Sequence, residues 1–107
     1  MFVKKVLIMI KYLEKDFCKN GIKFKRVASG YGWRIYKVMI PTEDDPQKYS
    51  VHYEYFQQKF QKNPWIEGVL FEQYPWDEAF GNWAFCTISL QYAINDIKRK
   101  LYKKYTK

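Results

Sequence analysis

With 107 residues, of which 48% are apolar and 21% aromatic, the chain is too short for two independent cores and too apolar for a disordered segment. We therefore expect one small domain over residues 1–107. Its formal net charge of +8 is unevenly distributed, because residues 65–86 carry four carboxylates and no lysine or arginine. An acidic aromatic block thus lies between two basic segments.

The first predicted element is an amphipathic helix over residues 2–19. Apolar residues recur there at three- and four-residue steps, namely Val3, Val6, Ile10, Leu13 and Phe17. Asn20-Gly21 follows as a helix stop, because glycine accepts the left-handed angle of a C-terminal cap. The apolar run over residues 6–10 is too short for a signal peptide or a membrane span. We therefore expect a cytoplasmic protein with no membrane association.

A hairpin is predicted next, with strands over residues 22–28 and 33–40 and a glycine-containing turn over residues 29–32. Residues 46–62 are ambiguous. The run 49–55 alternates like a strand, whereas Asp45-Pro46 resembles a helix start and an aromatic stripe has helical spacing. That stripe consists of Tyr49, Tyr53, Phe56 and Phe60. We predict a helix here and retain the strand as the alternative.

A shift of 43 positions aligns the two predicted helices, and with gaps it also matches the first hairpin to a second one. The second hairpin has predicted strands over residues 69–74 and 82–88, so the chain suggests an internal helix-hairpin duplication. A last helix begins near Ser89, with an apolar stripe of Leu90, Ile94, Ile97 and Leu101. The predicted order is α-β-β-α-β-β-α. This is an α+β fold in which helices cover a four-stranded antiparallel sheet.

Basic residues crowd the last helix, where they could neutralise phosphates while tyrosines stack on bases. The predicted nucleic-acid-binding residues are Tyr92, Lys98, Arg99, Lys100, Tyr102, Lys103 and Lys104. The alternative is a solvated helix end whose cations are favoured by the helix dipole. No zinc-finger spacing, helix-turn-helix or RNP-type signature accompanies the charge. The leading hypothesis is a small non-enzymatic protein that engages nucleic acid or a nucleoprotein complex.

The acidic block suggests a second hypothesis, since its long connection over residues 75–81 could dock a protein partner. The predicted partner-binding residues are Trp65, Glu67, Trp76, Asp77, Glu78 and Phe80. The protein would then be an inhibitor or adaptor of the phage or mobile-element type, for example one acting on a host defence nuclease. Alternatively, the rings of Trp76 and Phe80 fold back over the sheet. A third hypothesis is a homodimer formed through exposed rings on a free sheet face.

The sequence offers little for catalysis. His52-x-Glu54 lacks the Pro-Cys-x-x-Cys partner of zinc deaminases. The acidic run over residues 43–45 is explained by helix capping. Cys18 and Cys86 form no C-x-x-C pair and are expected to be buried free thiols. We therefore predict no catalytic residue, no metal site and no cofactor.

Overall fold

Strands are more abundant than helices in the part of the chain that the structure describes. The structure is a computed structural model that describes residues 9–45 and 47–105. Over these ranges the elements in chain order are β1 (Met9–Lys11), β2 (Asp16–Lys19), β3 (Ile22–Gly30), β4 (Trp33–Pro41), β5 (Tyr49–Gln57), β6 (Phe60–Lys62), β7 (Val69–Glu72), β8 (Ala84–Thr87) and α1 (Leu90–Tyr105). A short 3-10 turn, Asp77–Ala79, lies between β7 and β8.

The larger sheet is antiparallel, with strand order β2-β3-β4-β5-β8. Its first two connections are tight turns. Asn20 and Gly21 link β2 to β3, and Tyr31 and Gly32 link β3 to β4. All four residues have positive φ, between 52° and 81°. Two-residue turns with positive φ at both positions match the right-handed twist of paired strands, which explains why the chain reverses at these points.

The smaller sheet has the order β1-β7-β6, with β1 parallel and β6 antiparallel to β7. One buried contact ties it to the larger sheet. Arg34 of β4 donates two hydrogen bonds to Glu72 of β7, at 2.9 and 3.0 Å. The backbone N–H of Leu13 donates to the same carboxylate at 3.1 Å. Burial alone would raise the pKa of Glu72, but these donors hold it below its usual value.

The larger sheet separates two clusters of side chains, because successive residues of a strand point to opposite faces. Helix α1 packs on one face, where the buried residues are Trp33, Ile35, Tyr55, Ala93 and Ile97. On the other face the buried residues are Tyr36, Phe56, Ala79, Trp83 and Ala84, covered by the segment that leads from β7 to β8. We call these the helix face and the covered face.

The predicted first helix is wrong where the structure describes it. Residues 9–11 and 16–19 are strands, while residues 2–8 of that prediction lie outside the described part of the chain. Asn20-Gly21 is therefore a hairpin turn and not a helix stop. Leu13 and Phe17 do reach the core, but on the covered face and from extended segments.

The helix predicted over residues 46–62 is also wrong. Tyr49–Gln57 is a strand paired on both sides. A helix would have placed Tyr53 and Phe56 on one stripe, whereas they point to opposite faces of the sheet. Asp45 caps a turn instead, since its Oδ1 accepts a hydrogen bond from the N–H of Gln47 at 2.9 Å. Pro46 lies outside the described residues.

The predicted α-β-β-α-β-β-α order and the four-stranded sheet covered by helices are thus contradicted by sheets of three and five strands with one C-terminal helix in the described chain. The proposed duplication fails with them, because β7 and β8 belong to different sheets. The first hairpin and the last helix are confirmed. Within residues 9–45 and 47–105, no helix has both the length and the apolar character needed to cross a membrane.

Candidate nucleic-acid interface

Helix α1 is held on the sheet by a buried carboxylate. The hydroxyl of Tyr55 donates to Asp96 Oδ2 at 2.6 Å, and Lys100 Nζ lies 3.1 Å from the same oxygen. Arg99 donates to Asp96 Oδ1. Burial alone would raise the pKa of Asp96, but these three donors lower it to about 2. The contact fixes the rotation of the helix and therefore which side chains it exposes.

The exposed side of the helix is basic and aromatic. Near its C-terminal end, Lys98, Tyr102 and Tyr105 follow each other at three- and four-residue steps and line a shallow hollow together with Tyr31. A second hollow on the other side of Tyr31 is lined by Lys100 and Lys104, among others. We call Tyr31, Lys98, Lys100, Tyr102, Lys104 and Tyr105 the basic aromatic surface.

Two residues of this surface, Tyr105 and Tyr31, were not predicted from the sequence, and the more unusual of them is Tyr31. It occupies the tip of the β3–β4 turn with 88% of its surface exposed and a φ of 52°. Asparagine, aspartate or glycine is preferred at this position, and a bulky residue with positive φ is uncommon. The sequence therefore contained a signal for this residue, because a tyrosine stands where a two-residue turn favours asparagine.

The predicted nucleic-acid residues fall into separate groups. Lys98, Lys100, Tyr102 and Lys104 belong to the basic aromatic surface, although Lys100 also contacts Asp96 and lies 4.3 Å from the centre of the Phe85 ring. Lys103 is exposed. Arg99 is held by Asp96. Tyr92 is exposed in the first turn of α1, about 15 Å from Tyr102 along the helix axis.

The predicted partner-binding residues are also divided. Trp76 packs edge-on against Trp83, with ring centres 5.6 Å apart, and Phe80 packs against the covered-face cluster. Residues 75–81 thus fold back over the sheet, as the alternative interpretation held, while Asp77 and Glu78 between the two rings stay exposed.

Trp65 and Glu67 lie elsewhere, in the connection between β6 and β7, and both are exposed. Trp65 has 90% of its surface in solvent. The Oδ1 of Asn63 accepts hydrogen bonds from the N–H groups of Trp65 and Ile66 at 2.9 and 3.1 Å. The exposed indole is therefore carried on an ordered turn.

The His52-x-Glu54 pair serves the covered face. Glu54 accepts a hydrogen bond from the Tyr74 hydroxyl at 2.6 Å, and its other oxygen lies 2.8 Å from His52 Nε2. Burial and the Glu54 carboxylate raise the pKa of Tyr74, so its hydroxyl keeps its proton. Four rings surround Tyr74 with centres 5.0 to 5.6 Å away, those of Phe17, Phe24, Tyr36 and Phe56. The pair anchors the segment that covers the sheet.

In the described ranges, no three histidine, cysteine or acidic side chains lie close enough together to hold a metal ion. Cys18 and Cys86 are both exposed, so the expectation of buried thiols was wrong.

No protein-family model matches the chain, and neither a curated protein nor a solved structure is significantly similar to it. Its function is therefore inferred from the chemistry of its surfaces.

Proposed function

We propose that this protein is a non-enzymatic, cytoplasmic binder of single-stranded nucleic acid and that the basic aromatic surface is its binding site. The observation that carries the proposal is Tyr31. A bulky ring in a left-handed conformation stabilises neither the turn nor the core, because the backbone is strained there and the ring is solvent-exposed. Its position beside Lys98 in one hollow and beside Lys100 and Lys104 in the other supports a role in binding.

The charges of the surface suit phosphates. In the described part of the chain, Lys98 and Lys104 form no ion pair with a carboxylate. Unpaired lysines beside a hollow can replace the counterions of a phosphate backbone, and the release of those ions favours binding. The acidic residues Asp77 and Glu78 lie in the segment on the opposite face of the sheet, so they do not offset this attraction locally.

The rings of the surface favour unpaired bases over a duplex. Tyr31, Tyr102 and Tyr105 are each at least 70% exposed. Base–aromatic stacking is open to a base only when its face is free, as in single-stranded DNA or RNA. The alternation of rings and lysines resembles the general chemistry of sequence-tolerant single-strand binding, in which cations follow the backbone and rings take the bases.

The experiment is a fluorescence anisotropy titration of labelled single-stranded DNA and RNA homopolymers at several salt concentrations. The Lys98→Gln/Lys104→Gln variant should bind more weakly, and the slope of log K against log salt should become shallower by about 1.4, which corresponds to two lost phosphate contacts. Lys11→Gln/Lys62→Gln is the matched control, because it removes the same charge from exposed strands of the smaller sheet. That control should keep the wild-type slope.

Tyr31→Asn provides a second arm of this experiment. Asparagine relieves the turn, so the melting temperature should stay the same or rise, whereas affinity should fall about 5- to 150-fold through lost stacking. A wild-type protein that binds no single strand at low salt would falsify the proposal. Equal affinity for poly-glutamate, or equal losses in both double variants, would contradict it as well.

The exposed indole of Trp65 supports a second candidate function, the docking of a protein partner at the β6–β7 turn. An ordered turn that presents a tryptophan and an acidic neighbour, Glu67, suits an apolar pocket with a basic rim. In a quantitative pull-down, a genuine partner should be lost with Trp65→Ala and retained with Tyr31→Asn. A partner retained by both variants would exclude this turn.

A further inference from the structure

Helix α1 covers only part of the helix face. The helix starts soon after Thr87, which pairs with Tyr53, and it runs back towards the β3–β4 turn, where Leu101 lines a groove beside Tyr31. In the opposite direction, away from the β3–β4 turn, strands β3, β4 and β5 extend beyond the first turn of α1. In the described part of the chain, the side chains of this face that do not pack against α1 include Lys23, Lys25, Lys37, Met39, Tyr49 and Val51, which we call the open sheet half.

The open sheet half has a concentrated positive charge. Lys25 and Lys37 lie directly opposite each other on neighbouring strands, and such like-charged pairs destabilise a sheet. Within residues 9–45 and 47–105 none of its three lysines forms an ion pair, although Asp16 lies opposite Lys25 on β2. An anionic ligand would relieve the repulsion, which favours a polyanion as the occupant.

Aromatic and apolar side chains accompany these lysines. The Nζ of Lys23 lies 5.2 Å from the centre of the Tyr49 ring, which is partly exposed on the same face. Met39 and Val51 pair beside them in the register of β4 and β5. A ring and a flat apolar strip next to three cations match the requirements of a stacked base and its phosphates.

A groove extends from the basic aromatic surface along the sheet in the direction of the open sheet half. It has a volume of about 210 Å³ and lies between α1 and the β3–β4 hairpin. Its lining includes Ala28, Ile35, Ile94 and Lys98. Lys37 follows Ile35 on the same face of β4, so the groove leads from Tyr31 towards the lysines of the open sheet half.

We propose that the open sheet half extends the nucleic-acid site, so that one strand runs from Tyr31 along the groove to Lys23 and Tyr49. This inference rests on the proposed function and specifies its footprint. Lys23 and Gly30 lie near opposite ends of β3, which places them about 23 Å apart. That distance corresponds to about seven nucleotides at the spacing of a stacked strand. A second copy of the chain is a poorer occupant, because two-fold packing of this face would oppose lysines to lysines.

The test compares a tetranucleotide with a dodecanucleotide of deoxythymidine. Wild-type protein should bind the longer strand more tightly, and Lys23→Gln/Lys25→Gln/Lys37→Gln should lower that affinity about tenfold while leaving the tetranucleotide unaffected. The salt slope for the longer strand should become shallower by about 2, as expected for three lost phosphate contacts. Tyr49→Leu, which removes only the ring, should lower the affinity for the dodecanucleotide by about fivefold or more and leave the affinity for the tetranucleotide unchanged.

Other results of these measurements would distinguish a failure of the extension from a failure of the proposed function. If wild-type protein, the triple lysine variant and Tyr49→Leu bind the dodecanucleotide with equal affinity, the extension is wrong and the proposed function stands. If wild-type protein binds neither strand, both proposals are wrong. Poly-glutamate that competes with the dodecanucleotide at equal affinity would assign the open sheet half to an acidic peptide. A concentration-dependent dimer in sedimentation, abolished by the triple substitution, would assign it to a second copy of the chain.

Discussion

The two faces of the larger sheet use charged and aromatic residues in opposite ways. On the covered face the buried charge is paired and the central rings are packed: Arg34 forms an ion pair with Glu72, and four rings surround Tyr74. On the helix face one carboxylate, Asp96, fixes the helix, while Lys98 and the lysines of the open sheet half form no ion pair among the described residues. These lysines without a carboxylate partner, together with the exposed rings beside them, are the reason for proposing a binding site on the helix face.

The largest expected effect is the loss of the ion pair between the two sheets. Arg34→Ala leaves the Glu72 carboxylate, whose side chain is 0% exposed, without its main partner. This should lower the free energy of unfolding by about 3–5 kcal/mol. The matched control is Lys37→Ala, on the same strand but on the other face, which should change the free energy by less than about 0.5 kcal/mol. Urea unfolding followed by tryptophan fluorescence measures both, and equal losses would contradict the division between the two faces.

The second prediction concerns the loss of stability at acidic pH. Because the folded pKa of Asp96 is about 2, below its ordinary value, its stabilising contribution is present at neutral pH and disappears as the pH falls from about 4 to 2. It should amount to about 2 kcal/mol. Because the pKa of Glu72 is also lowered, its stabilising contribution is likewise lost as the pH falls. In urea unfolding across this pH range, Asp96→Asn should reduce the dependence on pH, whereas Asp44→Asn, at an exposed position, should not. A wild-type stability that is constant between pH 4 and 2 would exclude this role of Asp96.

The third prediction distinguishes the tryptophans of the acidic block. Trp76 is 49% exposed and packs against Trp83, whereas Trp65 is 90% exposed. Trp76→Ala should therefore reduce stability by about 1–2 kcal/mol, and Trp65→Ala should have almost no effect. Thermal unfolding of the two variants measures the difference. A destabilising Trp65→Ala would show that this ring packs on the protein and would remove the second candidate function.

Local signals in the sequence were sufficient for some elements and not for others. The β3–β4 hairpin and α1 were predicted because each has a consistent pattern within one short segment. The strand Tyr49–Gln57 was missed, although it alternates, because Asp45 can cap a helix or a turn with the same hydrogen bonds. Asn20-Gly21 was likewise read as a helix end, although Asn-Gly is a strong hairpin signal.

The proposed binding surface was predicted only in part. Lys98, Lys100, Tyr102 and Lys104 were candidates from the sequence because a cluster of basic residues is visible along one helix. Tyr31 and the open sheet half were not identified, because they join the helix only through the pairing of β3, β4 and β5. Strand pairing brings distant residues together, and the periodicity of one segment carries no information about its register with another.

The central claim is that nucleic acid binds the helix face and not the covered face. Photo-cross-linking of the dodecanucleotide, followed by mass spectrometry of the cross-linked peptides, tests it most directly. We expect cross-links at Tyr31, at Tyr49 and at Tyr102 or Tyr105. Cross-links concentrated at Trp65 or Trp76, with none on the helix face, would contradict it.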